Sequence, residues 1–267
     1  RVFVRSPRLR LDRSEAVDTA PLIPKAIVGD MGNEDLLPRK KAFFVPKDWA
    51  RANHWLMEKI VGTTFTVEGL ENIPKSGGYI LAPKHQSFWD TYALLPWLDD
   101  PVYILKRELM WIPVFGWYVA KQRMIPVNRG AKGKVMAQVI ERTKMEMANG
   151  RQLIIYPEGT RRPPGAAPDY KYGIARLYRD INVPVVPVAM HPGFFWPRRK
   201  FLRFPGHFTV RILPPIEPGL DPDVFHETLI ERLEAASDEL LVKTVKDNPH
   251  LPLPPTAANR LRELGAL

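Results

Sequence analysis

The 267-residue chain has no cysteine. That absence excludes a disulfide scaffold, a thiolate zinc site and a cysteine nucleophile. No apolar run reaches the roughly 18 residues that read as a membrane-crossing helix, and no signal-peptide pattern is present. The chain begins with Arg1 rather than Met, and a trimmed or processed chain is the expectation. There is no internal repeat and no Gly-x-Ser-x-Gly elbow. Gly133-Lys134 lacks the rest of a phosphate-binding P-loop. His54, His191, His207, His226 and His250 show no metal-ligand spacing with His85, so no metal site is expected.

Charge is abundant but unbalanced. Lys and Arg number 39 against 29 Asp and Glu, a net charge of +10. The excess is local. Residues 118–134 hold Lys121, Arg123, Arg129, Lys132 and Lys134 with no acid, and residues 193–211 hold Arg198, Arg199, Lys200, Arg203 and Arg211 with none. Such clusters suit phosphate esters, acidic lipid surfaces or nucleic acid, and equally a solvated basic surface.

A hydrophobic fraction of 45% supports a globular core. Short apolar strands are expected at 64–68, 78–82, 102–105, 124–127, 153–156, 185–190 and 208–213, alternating with helices at 49–60, 89–97, 132–147 and 172–180. Asp221-Pro222 offers N-cap and N1 chemistry for a further helix, with Phe225, Leu229, Leu233, Ala236 and Leu240 on its apolar face. The apolar run 109–120 reads as a buried helix. This alternation predicts an α/β fold: a central, mostly parallel or mixed sheet flanked by helices. Residues 1–41 read as an irregular arm, 42–247 as the folded domain and 248–267 as a loose Pro-rich tail.

The chemistry concentrates in Lys84-His85-Gln86-Ser87-Phe88-Trp89-Asp90, just after the strand at 78–82. On a helix, positions five apart lie about 140° around the axis and share no face. A turn followed by a helix start brings them together more easily, with Asp90 in the first helical turn. A neutral imidazole held by a carboxylate can take a proton from a hydroxyl near neutral pH. A structural hydrogen bond accounts for the same pair. Ser87 lies only two positions from His85 and is a poor nucleophile candidate.

A second block, Tyr156-Pro157-Glu158-Gly159-Thr160-Arg161, follows the strand at 153–156. Gly159 permits close backbone approach to a ligand. Arg161 offers a planar fork for phosphate oxygens. Glu158 can hold an arginine or bind a substrate hydroxyl. Between the two blocks, Arg129 follows Met124-Ile125-Pro126-Val127-Asn128, and Val183-Pro184-Val185-Val186-Pro187-Val188 comes later.

In this order the blocks resemble the 1-acyl-sn-glycerol-3-phosphate acyltransferase family over residues 60–215. The signature is His-x-x-x-x-Asp, an arginine after a strand, Pro-Glu-Gly-Thr-Arg, and a Val-Pro-rich strand. Lys171-Tyr172-Gly173 resembles the family's Lys-x-Gly element. The resemblance implies a glycerolipid acyltransferase-like fold and direct acyl transfer. His85 would act as base and Asp90 would orient it. Arg129, Glu158, Gly159, Thr160, Arg161 and Lys171 would bind the acceptor. An acyl-CoA or an acyl carrier protein would be the donor, with no cofactor. Many relatives carry an apolar helical segment before this domain, whereas residues 1–37 here are polar and mixed in charge.

A change of acceptor to a lyso-aminolipid or glycerol 3-phosphate keeps the same chemistry. A non-catalytic basic module binding membrane or nucleic acid is the reading from another class. The two intact blocks argue against it, so no nucleic-acid partner is expected. Membrane association at the cytoplasmic face is expected, through Phe194, Phe195, Trp196, Arg198, Arg199 and Lys200. Core packing of those aromatics is the competing account.

Overall fold

The computed structural model describes residues 38–127 and 134–267. Seven strands form one sheet in the order β1-β7-β6-β2-β5-β3-β4. They are β1 (Thr63–Glu68), β2 (Tyr79–Pro83), β3 (Pro101–Lys106), β4 (Ile125–Val127), β5 (Gln152–Ile154), β6 (Val185–Met190) and β7 (Gly206–Ile212). Every pairing is parallel except β6 with β7. The expected mixed, mostly parallel sheet is therefore observed.

The sheet is covered on both faces, which is why β2 and β6 are apolar and buried along their whole length. Alternation along β2 decides what each face receives. Ile80 and Ala82 join a cluster with Phe225, Leu229 and Leu233. Tyr79 and Leu81 join one with Trp89, Phe194, Phe195 and Phe208.

Six α-helices of seven residues or more flank the sheet among the described residues: α1 (Phe44–Leu56), α2 (Phe115–Lys121), α3 (Lys134–Ala148), α4 (Gly173–Ile181), α5 (Pro222–Asp247) and α6 (Pro255–Glu263). α5 starts as its sequence dictates: Asp221 Oδ1 accepts the Asp223 N–H at 2.9 Å, and Pro222 occupies the first turn. Its buried Phe225 lies flat on Tyr178 of α4, with centroids 3.8 Å apart.

Two expectations fail for local reasons. Residues 89–97 form two 3₁₀ turns, Trp89–Thr91 and Leu95–Trp97, instead of one helix. Pro96 has no N–H to continue an α-helix, and Trp89, Tyr92, Ala93, Leu94 and Leu95 are buried on all sides rather than along a stripe. The apolar run 109–120 is no buried helix either. A 3₁₀ turn (Arg107–Trp111) and α2 are broken apart around Pro113, leaving Trp111, Ile112, Val114 and Phe115 exposed. Gly116 fits there because an added Cβ would lie 2.0 Å from the Met110 carbonyl oxygen.

The C-terminal segment is not a loose tail. Pro255 starts α6, whose Ala257 and Leu261 are buried one helical turn apart. Arg260 clamps Asp238 of α5 with two hydrogen bonds of 2.8 and 2.5 Å. At the other end, Arg39 makes a bidentate bond to Asp100, and Ala42 and Phe43 are buried, so packing begins before residue 42. α1 leaves Phe44, Trp49, Trp55 and Leu56 exposed, and Ile60 beyond it. No helix among the described residues is long and apolar enough to cross a membrane.

Candidate active site

β2 and β5 are neighbours, so the turns leaving their carboxyl ends meet. This is where open α/β sheets place ligands. The first turn carries His85 and Asp90, the second Glu158 to Arg161.

Asp90 Oδ2 accepts three hydrogen bonds: from His85 Nδ1 at 3.0 Å, from the Gln86 N–H at 2.6 Å and from the Ser87 N–H at 2.8 Å. The two backbone donors fix the carboxylate, and the carboxylate fixes the ring. Because the aspartate oxygen can only accept, Nδ1 carries the proton and Nε2 is left as the basic nitrogen. The Asp90 side chain is fully buried and His85 is 14% exposed, so the ring is reachable from one side. Ser87 is fully buried, and its Oγ accepts the Trp89 N–H at 3.2 Å. It caps the turn and does not face an incoming substrate.

Tyr156, which ends the second strand's sequence run, stacks on the His85 ring with centroids 3.9 Å apart and 20° between planes. Its hydroxyl donates to the Asp90 carbonyl at 3.0 Å. Burial pushes its pKa far up, so it remains a neutral donor. The Arg162 N–H reaches the His85 carbonyl at 2.8 Å and ties the two turns together.

Glu158 does not face outward. It is 1% exposed; Oε2 accepts the His85 N–H at 2.9 Å and Oε1 meets Lys84 Nζ at 3.0 Å. The expectation that it contacts substrate is corrected: both its oxygens are already committed inside the fold. Gly159 has φ of +66° and, with Thr160, forms the exposed tip of the loop. Arg162 and Lys171 both pair with Asp169, at 3.0 and 2.7 Å. Lys171 is thus near the loop but occupied by an acid. Among the described residues no carboxylate pairs with the Arg161 guanidinium, which leaves it available to an anion. Arg129 lies outside the described residues.

The aromatics expected at a membrane divide. Phe194 and Phe195 are each 1% exposed, and Phe195 stacks on Phe208 at 4.9 Å. They are core, because β6 delivers them directly into the apolar cluster beneath residues 89–98. Trp196 is half-buried under the Arg203 guanidinium, 4.1 Å from its ring. The exposed residues are instead Arg198, Arg199, Lys200, Phe201 and Leu202, with Phe201 at 96%. Arg198 Nη1 donates to the Arg161 carbonyl at 3.0 Å, so this loop adjoins the second turn.

Gln86 is held on the far side of the turn. Its Nε2 donates to His191 Nδ1 at 2.9 Å, and His191 Nε2–H donates to the Ser237 carbonyl at 2.7 Å. Burial, reinforced by the charge on Lys84 and opposed by the Ser237 bond, lowers His191 to about pH 4. His54, packed among Phe65, Trp89 and Tyr92, is lowered to about 4 by burial. In the unfolded chain both titrate near 6.5. Their stability contribution is therefore complete above pH 6.5 and is lost as pH falls toward 4, since the unfolded state then binds more protons. Denaturant unfolding across that window should show a falling midpoint in the wild type and a flatter profile in His191→Gln.

An α/β fold that presents a histidine–aspartate pair and, among the described residues, an arginine with no carboxylate partner at adjacent strand ends has the parts of a base-assisted group-transfer site. Comparison with known proteins makes this specific. A family model described as Acyltransferase matches residues 64–191. A 1-acyl-sn-glycerol-3-phosphate acyltransferase of Pseudomonas aeruginosa is 33% identical over 210 residues, covering 78% of this chain and 81% of that protein. The alpha form of that acyltransferase from Mus musculus is 29% identical over 168 residues, covering 61% of this chain and 59% of its own length. The crystal structure of the 1-acyl-sn-glycerophosphate acyltransferase of Thermotoga maritima superposes with a TM-score of 0.63 at 27% identity, covering 76% of this chain and 81% of that one. The chain belongs to the 1-acyl-sn-glycerol-3-phosphate acyltransferase family.

Proposed function

We propose that this protein transfers a fatty acyl group from an acyl thioester to the free hydroxyl of 1-acyl-sn-glycerol 3-phosphate, giving phosphatidate. The observation that carries the mechanism is the commitment of His85 Nδ1–H to Asp90, which leaves Nε2 to take the hydroxyl proton. The substrate oxygen then attacks the thioester carbonyl, the tetrahedral intermediate collapses, and the carbon–sulfur bond breaks. The imidazolium returns its proton to the departing thiolate. Asp90 stabilises the transient positive charge on the ring. Coenzyme A and acyl carrier protein present the same thioester, and either serves as donor in this reading.

Arg161 is the proposed phosphate ligand within the described residues, with Gly159 and Thr160 at the same loop tip. Arg161→Lys should raise the acceptor KM despite keeping its charge, because an ammonium cannot replace a bidentate fork. The donor KM should change less. A thioester-release assay with lysophosphatidate, glycerol 3-phosphate and a lyso-aminolipid tests this reading directly. Equal use of a phosphate-free acceptor would remove Arg161 from its role.

We place the protein on an anionic membrane surface, where the negative potential of the cytoplasmic leaflet attracts Lys and Arg. Exposed Phe201 and Leu202 beside Arg198, Arg199 and Lys200 support this docking loop. Phe201→Ser together with Leu202→Ser should weaken sedimentation with anionic vesicles at low salt. If binding is unchanged, the exposed apolar residues of α1 take over as the contact surface.

A further inference from the structure

A buried ionic chain underlies the His85 turn. Following β2, the even positions Ile80 and Ala82 face α5 with apolar side chains, and Lys84 continues that face. Its side chain is 5% exposed, and its ammonium reaches Glu158 Oε1 at 3.0 Å, Glu234 Oε1 of α5 at 2.7 Å and the Tyr170 hydroxyl at 3.1 Å. The Tyr170 hydroxyl donates in turn to Glu234. On its far side Lys84, with Glu234, Gln86 and His191, borders a partly open cavity of about 290 Å³ that α6 residues also line.

An apolar residue at position 84 would satisfy the packing pattern, and buried ion pairs rarely stabilise a fold more than apolar side chains of similar volume do. What lysine supplies here is different. It holds one oxygen of Glu158 in place, and the other oxygen of Glu158 accepts the His85 N–H. We infer that Glu234 and Tyr170 are positioning residues for His85: acting through Lys84 and Glu158, they fix the backbone of the turn on which the base sits. The inference rests on the general-base role proposed for His85. Three of the four residues come from outside the Asp90 side of the site. Asp90 thus holds the ring through its side chain, and Glu158 on the N–H, with the Arg162 N–H on the carbonyl, holds its backbone.

The test is steady-state acyl transfer by Glu234→Gln, Tyr170→Phe, Glu158→Gln and Glu158→Ala, alongside His85→Ala. Small misplacements of a reacting group cost up to about 100-fold. Glu234→Gln and Tyr170→Phe should therefore lower kcat by about 10-fold or more while the acceptor KM stays within about twofold. Glu158→Gln keeps an oxygen for the His85 N–H and should retain more activity than Glu158→Ala. The melting temperature and circular dichroism of each variant report any loss of folded protein, and kcat is referred to the folded fraction. If Glu234→Gln and Tyr170→Phe keep wild-type kcat while His85→Ala is inactive, the positioning role is overturned and the general base stands. An active His85→Ala would instead remove the base itself.

Discussion

His85→Ala should lower kcat/KM by about 10²- to 10⁴-fold, the range typical of losing a general base. The fold should survive. His85 is partly exposed, and its ring contacts are Asp90 and the face of Tyr156. Asp90→Asn tests the same unit from the other side. An asparagine oxygen can sit where Oδ2 sits and still accept the Gln86 and Ser87 N–H groups. The turn therefore persists while the countercharge for the imidazolium is gone. A severe drop in kcat with an unchanged melting temperature is expected in both variants. Acyl transfer by purified His85→Ala at near wild-type rate would end the base mechanism.

The largest effect on stability should come from Arg151. This guanidinium is fully buried at the start of β5. It donates to Asp100 Oδ1 at 3.0 Å and Glu146 Oε2 at 2.8 Å, and to the carbonyls of Pro101, Gln122 and Arg123 at 3.2, 2.9 and 3.3 Å. It thus joins β3, β5, the end of α3 and the turn after α2. Arg151→Met fills the space but strands those acceptors, and breaking such a buried pair costs about 3 to 5 kcal/mol. For a protein of this size that corresponds to a melting-temperature drop of roughly 6 to 20 °C. Arg151→Lys should recover only part, since a point charge cannot serve five acceptors. A drop under about 2 °C for Arg151→Met would show that water satisfies the acceptors instead. Asp100 reports on the same cluster. Burial alone would raise its carboxyl pKa, but the Arg39 hydrogen bond and the charges of Arg151 and Arg39 lower it below 3.8. That contribution is present above the ordinary carboxylate range and is lost on acidification through it.

The His85–Asp90 spacing, the Pro157 to Arg161 loop and all seven strands were legible, because each depends on neighbours a few positions away. So was the start of α5, where Asp221 and Pro222 act within one turn. α6 carries a local signal as well: Pro255 at a first turn, then Ala257 and Leu261 four apart. Its Pro-rich surroundings masked it.

The sequence by itself determined the candidate chemistry: which histidine, which carboxylate, and which loop follows which strand. Those are properties of local turns and of side-chain type. Only the tertiary structure decided what those groups lean on. Nothing in the chain order pairs Lys84 with Glu234, 150 positions away. That contact exists because β2 lies beside β6 and α5 packs across them. The same holds for the aromatics of residues 194–202. Composition counts Phe194 and Phe201 alike, and both flank cations. One is core and the other almost wholly exposed because β6 aims the first into the sheet's apolar face and the chain then leaves that face. Burial is a property of what the rest of the fold places opposite a residue, and local sequence carries no record of that.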